Sequence, residues 1–231
     1  TGATTNTLTT AVTATTTYWV RIKKSACDSF TTGATKTVTT PTAVVYNGTW
    51  SSTPSISTAV IVQSDLTIDS DMQFCSCQVK NNATLTRNSG KNITVKGMVT
   101  VDTGSNFILQ NKASLLQTDN LQNSGQASVT RTGSKVMRLD YSIWSSPVSG
   151  QNLLNFSPLT LTTRFYGFNT VTNLYNAITD PANTNFATGK GYLIRVPNNF
   201  PTTPTAYTGT FTGVLQHGNI TVPLAYNGAN S

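Results

Sequence analysis

The sequence predicts an all-β fold, and three observations support this prediction. Only 10% of the 231 residues are charged, whereas an ordinary soluble domain carries about 25%. Thr, Ser, Asn and Gly replace the charged residues, which suits pleated surfaces and tight turns. No segment repeats its apolar residues at helical spacing, so almost no helix is expected. In chain order we expect the end of an immunoglobulin-like sandwich, a short right-handed β-helix or solenoid, and a β-sandwich or jelly-roll-like domain.

The first expected unit spans residues 1–41 and is a partial immunoglobulin-like sandwich. Its segment 17–23 alternates, with Tyr18 on one face and Trp19 on the other. A second strand is predicted over 34–39. Because a whole sandwich needs about seven strands, this unit is predicted to be truncated or completed by another segment.

Residues 42–57 are predicted to form a linker. The pair Asn47-Gly48 within it is a strong tight-turn signal. We expect Trp50 to pack as a cap on the domain that follows.

Residues 58–130 carry short strands at near-regular spacing. The segments that begin at Val79 and Val101 echo each other about 22 residues apart, and a period in that range is typical of a solenoid. In a solenoid, the inward residues of successive turns form a ladder core. A plain β-sandwich is the alternative for this segment.

Residues 131–231 are predicted to form the β-sandwich or jelly-roll-like domain, which the chain truncates. The segment 172–181 is predicted to be a loop with one possible helical turn. The candidate strands are 137–143, 163–168, 191–196, 207–212 and 218–222.

The three cysteines are an odd number, so they do not form a closed set of disulfides. Cys75 and Cys77 point to the same face if they lie in one strand. The favoured interpretation is two small buried side chains in the β core. A Cys75–Cys77 disulfide is the alternative, although bridging residues two apart is geometrically awkward. Cys27 is expected to pair with a cysteine that precedes residue 1.

Asp65, Asp69 and Asp71 are candidate ligands for Ca²⁺, which takes oxygen donors. Their spacing is not that of an EF-hand loop, and a polar turn between solenoid strands is the favoured interpretation. No other cofactor is expected. The chain has no glutamate, and its single histidine, His217, lies in a polar turn. We therefore expect no enzyme activity.

The formal net charge of +7 is spread along the chain, whereas nucleic-acid binders concentrate basic residues with aromatic platforms. No nucleic-acid partner is expected; a weak attraction to an acidic glycan remains open. Tyr166, Phe168 and Tyr175 are candidate glycan contacts because aromatic residues crowd this region. Core packing is the favoured interpretation for these aromatic residues.

Three segments together resemble a recurring cassette of known surface proteins. They are the Cys-Ser-Cys segment at 74–77, the strand and Ser-Ser-Pro turn at 138–151, and the Gly-Lys-Gly-Tyr-Leu-Ile-Arg segment at 189–195. This cassette is similar to that of Bacteroidota proteins exported by the type IX secretion system, including gliding-motility adhesins of the SprB kind. The resemblance covers nearly the whole chain and implies adhesion rather than catalysis.

The resemblance implies an extracellular location at the cell surface. The chain is then a structural and adhesive segment of a large secreted adhesin, used in gliding motility or surface attachment. The implied partners are extracellular polysaccharide or substratum, neighbouring modules of the same polypeptide, and the secretion machinery through regions outside this chain. The alternative function is a carbohydrate-binding module of a secreted hydrolase.

Overall fold

The computed structural model describes residues 14–20, 34–38 and 42–223, and these residues form an all-β structure. The chain divides into two compact units, Thr1–Thr42 and Ala43–Ser231. The described part of the first unit is an antiparallel pair, β1 (Thr16–Val20) and β2 (Ala34–Val38). Trp19 of this pair is 70% exposed. Cys27 lies outside the described residues, so its predicted pairing stays a prediction.

The second unit begins with a parallel β-solenoid that has three strand-bearing faces. β3, β4, β7 and β10 stack on one face, β5, β8 and β11 on the second, and β6, β9 and β12 on the third. In chain order these strands are β3 (Val44–Tyr46), β4 (Ala59–Val62), β5 (Leu66–Ile68), β6 (Met72–Phe74), β7 (Ser76–Val79), β8 (Thr84–Arg87), β9 (Asn92–Val95), β10 (Val99–Val101), β11 (Asn106–Leu109) and β12 (Ser114–Gln117).

The strand register confirms the solenoid, and the 22-residue spacing holds for the pairs β7–β10, β8–β11 and β9–β12. The turn before them is shorter, with partners 17, 19 and 21 residues apart on the three faces. Residues 22 apart pair in parallel on all three faces, and Leu85, for example, pairs with Phe107. Both of these side chains are fully buried and point into the ladder core. The stack comprises about three turns, with alternating buried and half-buried residues along most strands, as the period of two requires.

The prediction of a linker over 42–57 is wrong, because this segment supplies the first strand of the solenoid. Val44 pairs in parallel with Val60 and is buried. An apolar residue at an inward position gains more from the ladder core than from a solvated linker. Trp50 does pack against the solenoid, since its ring centroid lies 6.3 Å from that of Phe74.

The rest of the unit adds antiparallel strands to the solenoid. They are β13 (Ala127–Val136), β14 (Tyr141–Trp144), β15 (Val148–Ser149), β16 (Phe165–Asn169), β17 (Leu174–Ala177), β18 (Tyr192–Arg195) and β19 (Thr205–Leu215), with one short helix, α1 (Leu153–Phe156), and a 3-10 turn at Thr162–Arg164. One six-stranded sheet has the order β15-β19-β13-β11-β8-β5, and a separate four-stranded sheet has the order β14-β18-β16-β17.

β13 belongs to both parts of the second unit. Ala127 pairs in parallel with Phe107 of the solenoid and in antiparallel fashion with Gly213 of β19. The expected domain boundary at 130/131 therefore falls inside a continuous strand. Asn123 adds a side-chain connection, because its Nδ2 donates to the Leu215 carbonyl oxygen at 3.1 Å.

Two local predictions in this region are wrong. The predicted loop 172–181 contains strand β17. The predicted strand 218–222 is not a strand, and β19 ends at Leu215. Gly218 has a φ of +91°, which is outside the strand region.

Candidate functional site

The four-stranded sheet has an inner face that is part of the core. Alternation places Phe165, Tyr192 and Trp144 on this face, and each is at most 6% exposed. They join a set of packed rings on α1 and β19, in which the centroids of Phe156 and Phe211 are 4.4 Å apart. Core packing is therefore the role of the aromatic residues on the inner face.

The opposite face of this sheet is exposed and apolar. We define the outer face as Tyr141, Ile143, Tyr166, Phe168, Tyr175 and Leu193. The register brings these residues together from four strands, since Leu193 pairs with both Ile143 and Tyr166, and Phe168 pairs with Tyr175. Ile143 is 63% exposed, Tyr175 46% and Phe168 40%.

All three candidate glycan contacts lie on the outer face rather than in the core. The centroids of Phe168 and Tyr175 are 5.2 Å apart, and Tyr166 packs edge-on against Tyr141 at 5.9 Å. Such contacts hold aromatic rings in fixed orientations and leave one surface free. Glycan contact by these residues stays a prediction, but the favoured alternative of core packing is wrong for them.

A depression of about 310 Å³ lies at the hairpin of β16 and β17, against Gly167 and its register partner Asn176. Phe168, Asn169, Asn176 and Lys190 are among its lining residues. Amide and ammonium groups beside an aromatic ring are the donors and acceptors that sugar hydroxyl groups require.

Three arginines lie at the other end of the outer face, and we call Arg138, Arg164 and Arg195 the arginine cluster. Arg195 pairs in register with Tyr141. Its Nη2 donates to Asn198 Oδ1 at 3.3 Å, while Nε of Arg138 donates to the Asn198 carbonyl oxygen at 3.0 Å. Asn198 thus connects two guanidinium groups that carry the same charge.

Tyr141 connects the arginine cluster to the aromatic part of the outer face. Burial raises the pKa of its hydroxyl, and contact with Tyr166 acts in the same direction. The charges of Arg164 and Arg195 lower this pKa. The strand register independently places Arg195 opposite Tyr141.

Sequence reasoning missed Arg164 and Arg195 and did not connect Tyr141 and Ile143 with the aromatic residues of 163–195. The alternation over 138–144 had placed Tyr141 and Ile143 on one face. Only the pairing of β14 with β18 brings that face beside Tyr166.

The structure does not bring the weak calcium candidates Asp65, Asp69 and Asp71 together as a metal-binding group. Among the described residues, no group of three or more acidic, histidine or cysteine side chains is placed to hold a metal ion. The three carboxylates instead bond to the next solenoid turn: Asp65 accepts from Thr84 N at 2.8 Å, Asp69 from Asn88 Nδ2, and Asp71 from Asn92 N at 2.9 Å. They bond successive turns of the solenoid to each other.

The two described cysteines are free thiols, so the alternative of a Cys75–Cys77 disulfide is wrong. Cys77 is buried in the ladder core, and burial raises the pKa of its thiol to about 12. Cys75 lies at the corner between β6 and β7 and is half-buried. The favoured interpretation of two buried side chains is therefore confirmed for Cys77 and wrong for Cys75, because β6 ends before Cys75 and β7 begins after it.

His217, whose position had argued against catalysis, has a structural contact. Its Nε2 lies 2.6 Å from the Asp119 carbonyl oxygen, so it donates to that oxygen. This bond connects the end of β19 to the segment after β12.

No helix among the described residues is long and apolar enough to span a membrane.

Comparison with known proteins identifies one family. Residues 43–231, which include the solenoid and both sheets, match the family model described as a domain of unknown function, DUF8693. No curated protein and no solved structure matches the chain.

Proposed function

We propose that this chain, which belongs to the DUF8693 family, is a structural and adhesive segment of a large secreted bacterial cell-surface adhesin. The adhesin is used in surface attachment or gliding motility. The segment acts as a stiff spacer that holds the outer face away from its neighbours in the polypeptide. Its partners are extracellular polysaccharide or substratum, the adjoining modules, and the type IX secretion machinery through regions outside this chain.

The continuous six-stranded sheet is the observation that carries this proposal. β13 is hydrogen-bonded to the solenoid strand β11 on one side and to β19 on the other. Bending between solenoid and sandwich would break these ladders, so the second unit transmits force as one body. Thr pairs reinforce the β13–β19 ladder, with hydroxyl oxygens 3.0 Å apart at Thr132 and Thr208.

The resemblance of segments 74–77, 138–151 and 189–195 to type IX-exported proteins supports the extracellular, cell-surface location. The low charged fraction of 10% supports it as well.

Force spectroscopy on the full chain between two reference domains tests the spacer. We expect one cooperative rupture of the second unit, with a contour-length gain of about 60 nm for some 180 residues. Thr130→Pro, which removes an amide from the central strand β13, should lower the rupture force. The control Ser52→Pro, in an exposed bend, should not. Extension without a force peak, or separate ruptures of solenoid and sandwich, would show that the unit is not a stiff spacer.

The exposed outer face favours a second candidate, a carbohydrate-binding module of a secreted hydrolase. Tyr166 and Tyr175 would then stack on sugar rings. A glycan array with the wild-type chain and the variants Tyr166→Ala and Tyr175→Ala tests this candidate. Binding that both variants lose supports it, and an array without any bound glycan excludes it.

A further inference from the structure

We propose that the outer face and the arginine cluster together bind an acidic polysaccharide. Sugar rings pack on the aromatic side chains, and carboxylate or sulfate groups of the same polymer bind the guanidinium groups. This inference rests on the proposed adhesive function and names the chemical class of its ligand.

Arg195 is the central observation, because it is a buried charge without a counter-ion. The residue is only 7% exposed, and its Nε has no hydrogen-bond partner. Its guanidinium makes one hydrogen bond, to the neutral Asn198 side chain. Buried charges are normally paired, because an unpaired one loses its hydration without compensation.

No described carboxylate supplies that counter-ion. The one ion pair among the described residues joins Arg87 to Asp71 in the solenoid. Asp140 is next to Tyr141 in sequence, but its Oδ2 accepts from the Met137 amide. The guanidinium of Arg164 donates only to the carbonyl oxygen of the preceding residue, at 3.4 Å. The arginine cluster therefore has no ion-pair partner among the described residues.

The charge balance of the surrounding segment also favours an anionic partner. Between residues 131 and 223 the basic residues outnumber the acidic ones: Arg131, Lys135, Arg138, Arg164, Lys190 and Arg195 against Asp140 and Asp180. A basic surface of this kind attracts polyanions over the Debye length, about 8–10 Å at physiological salt.

The arrangement of aromatic and basic groups distinguishes a polysaccharide from a simple anion. Guanidinium groups bind carboxylate and sulfate through paired N–H donors. Tyr141 pairs in register with Arg195, and its ring packs against that of Tyr166. Phe168 and Tyr175 continue the aromatic surface across the sheet. A polymer that alternates apolar ring faces with acidic groups contacts both parts.

Isothermal titration of the full chain with dextran, dextran sulfate, alginate and an oligothymidylate tests the proposal. Dextran and dextran sulfate share a backbone and differ in charge, while alginate carries carboxylates. We expect dextran sulfate or alginate to bind and dextran not to bind. Arg164→Gln should weaken binding about tenfold, which corresponds to about 1.4 kcal/mol. Phe168→Ala should weaken it as well.

Two control variants distinguish binding at the outer face and the arginine cluster from nonspecific charge or apolar attraction elsewhere on the chain. Lys135→Gln removes one positive charge from an exposed position on β13, and Leu116→Ala removes an exposed apolar side chain from the solenoid. We expect neither to change the affinity, and all four variants to unfold at the wild-type temperature. Equal losses of affinity in Arg164→Gln and Lys135→Gln would show that the polymer does not bind specifically at the arginine cluster.

The remaining outcomes separate this inference from the proposed function. Binding of uncharged dextran alone would overturn the acidic class but leave glycan adhesion in place. Tighter binding of the oligothymidylate, with the same dependence on Arg164, would replace the polysaccharide by a nucleic acid. No binding by any polymer would overturn the inference, whereas a single cooperative rupture under force would still support the spacer.

Discussion

Gly125 lies where the last solenoid turn meets the antiparallel strands, and its replacement by alanine should strongly lower the free energy of unfolding. An ideal Cβ at Gly125 would lie 1.7 Å from the Val101 carbonyl oxygen. The residue also has a φ of +80°, a conformation that side-chain-bearing residues rarely adopt. Gly90 is a matched control, because it has a φ of +72° but no atom within 4 Å of the added Cβ.

Two contributions to the loss in free energy of unfolding can be distinguished from the structure. Gly90→Ala should lose only the conformational term, about 1 kcal/mol. Gly125→Ala carries the same term and must also displace the backbone at Val101. This displacement breaks the bonds from Val101 N to Ser124 O at 2.9 Å and from Ser124 N to Val99 O at 3.0 Å. At about 1 kcal/mol for each bond, the total reaches about 3 kcal/mol or more.

Urea unfolding followed by tryptophan fluorescence measures both free energies of unfolding. A Trp19→Phe background removes the exposed tryptophan of the first unit, so that Trp50 and Trp144 report on the second. We expect Gly125→Ala to lower the free energy of unfolding by about 2 kcal/mol more than Gly90→Ala, from the two lost hydrogen bonds. Equal losses within about 0.5 kcal/mol would refute the close approach of the two backbones.

Three further predictions concern the ladder core. Phe107→Ala should lower the free energy of unfolding by about 3–5 kcal/mol, because it empties a fully buried position; a loss below about 1 kcal/mol in urea unfolding would contradict this packing. Arg87 is fully buried, and its partner Asp71 is exposed, so Arg87→Met should keep or raise the melting temperature while Arg87→Ala lowers it; calorimetry checks the order of the two variants. The pKa of Cys77 is raised to about 12 by burial, so the unfolded chain loses this thiol proton near pH 9 and the folded chain does not. Stability should therefore fall above pH 9, by about 1.4 kcal/mol at pH 10, and Cys77→Val should lack this part of the decrease.

The solenoid was predictable because its signal repeats along the sequence. Residues 22 apart carry equivalent side chains, and Leu85 and Phe107 therefore stack as the period indicates. The first strand was missed because Val44 and its partner Val60 are only 16 residues apart. Because this first turn is shorter than 22 residues, the repeat does not reveal it in the sequence, although its strands pair in parallel like the others.

The outer face was only partly predictable, because it depends on strand order. Alternation within β16 separates Tyr166 and Phe168 from the buried Phe165, and this local pattern is visible in the sequence. The neighbours Tyr141 and Arg195 come from strands that are distant along the chain and meet only through the antiparallel register of β14 and β18. β17 was missed because all four of its residues are exposed and so give no alternation of apolar residues.

The shared strand β13 has a consequence for how the length of such a segment varies. Each complete solenoid turn adds one strand to each face, and adjacent strands are about 4.8 Å apart. Insertion or deletion of one 22-residue turn before Ala127 therefore lengthens or shortens the solenoid by about 4.8 Å and leaves the pairing of β13 with β19 unchanged. The length of the solenoid and the composition of the outer face can therefore change independently of each other in one polypeptide.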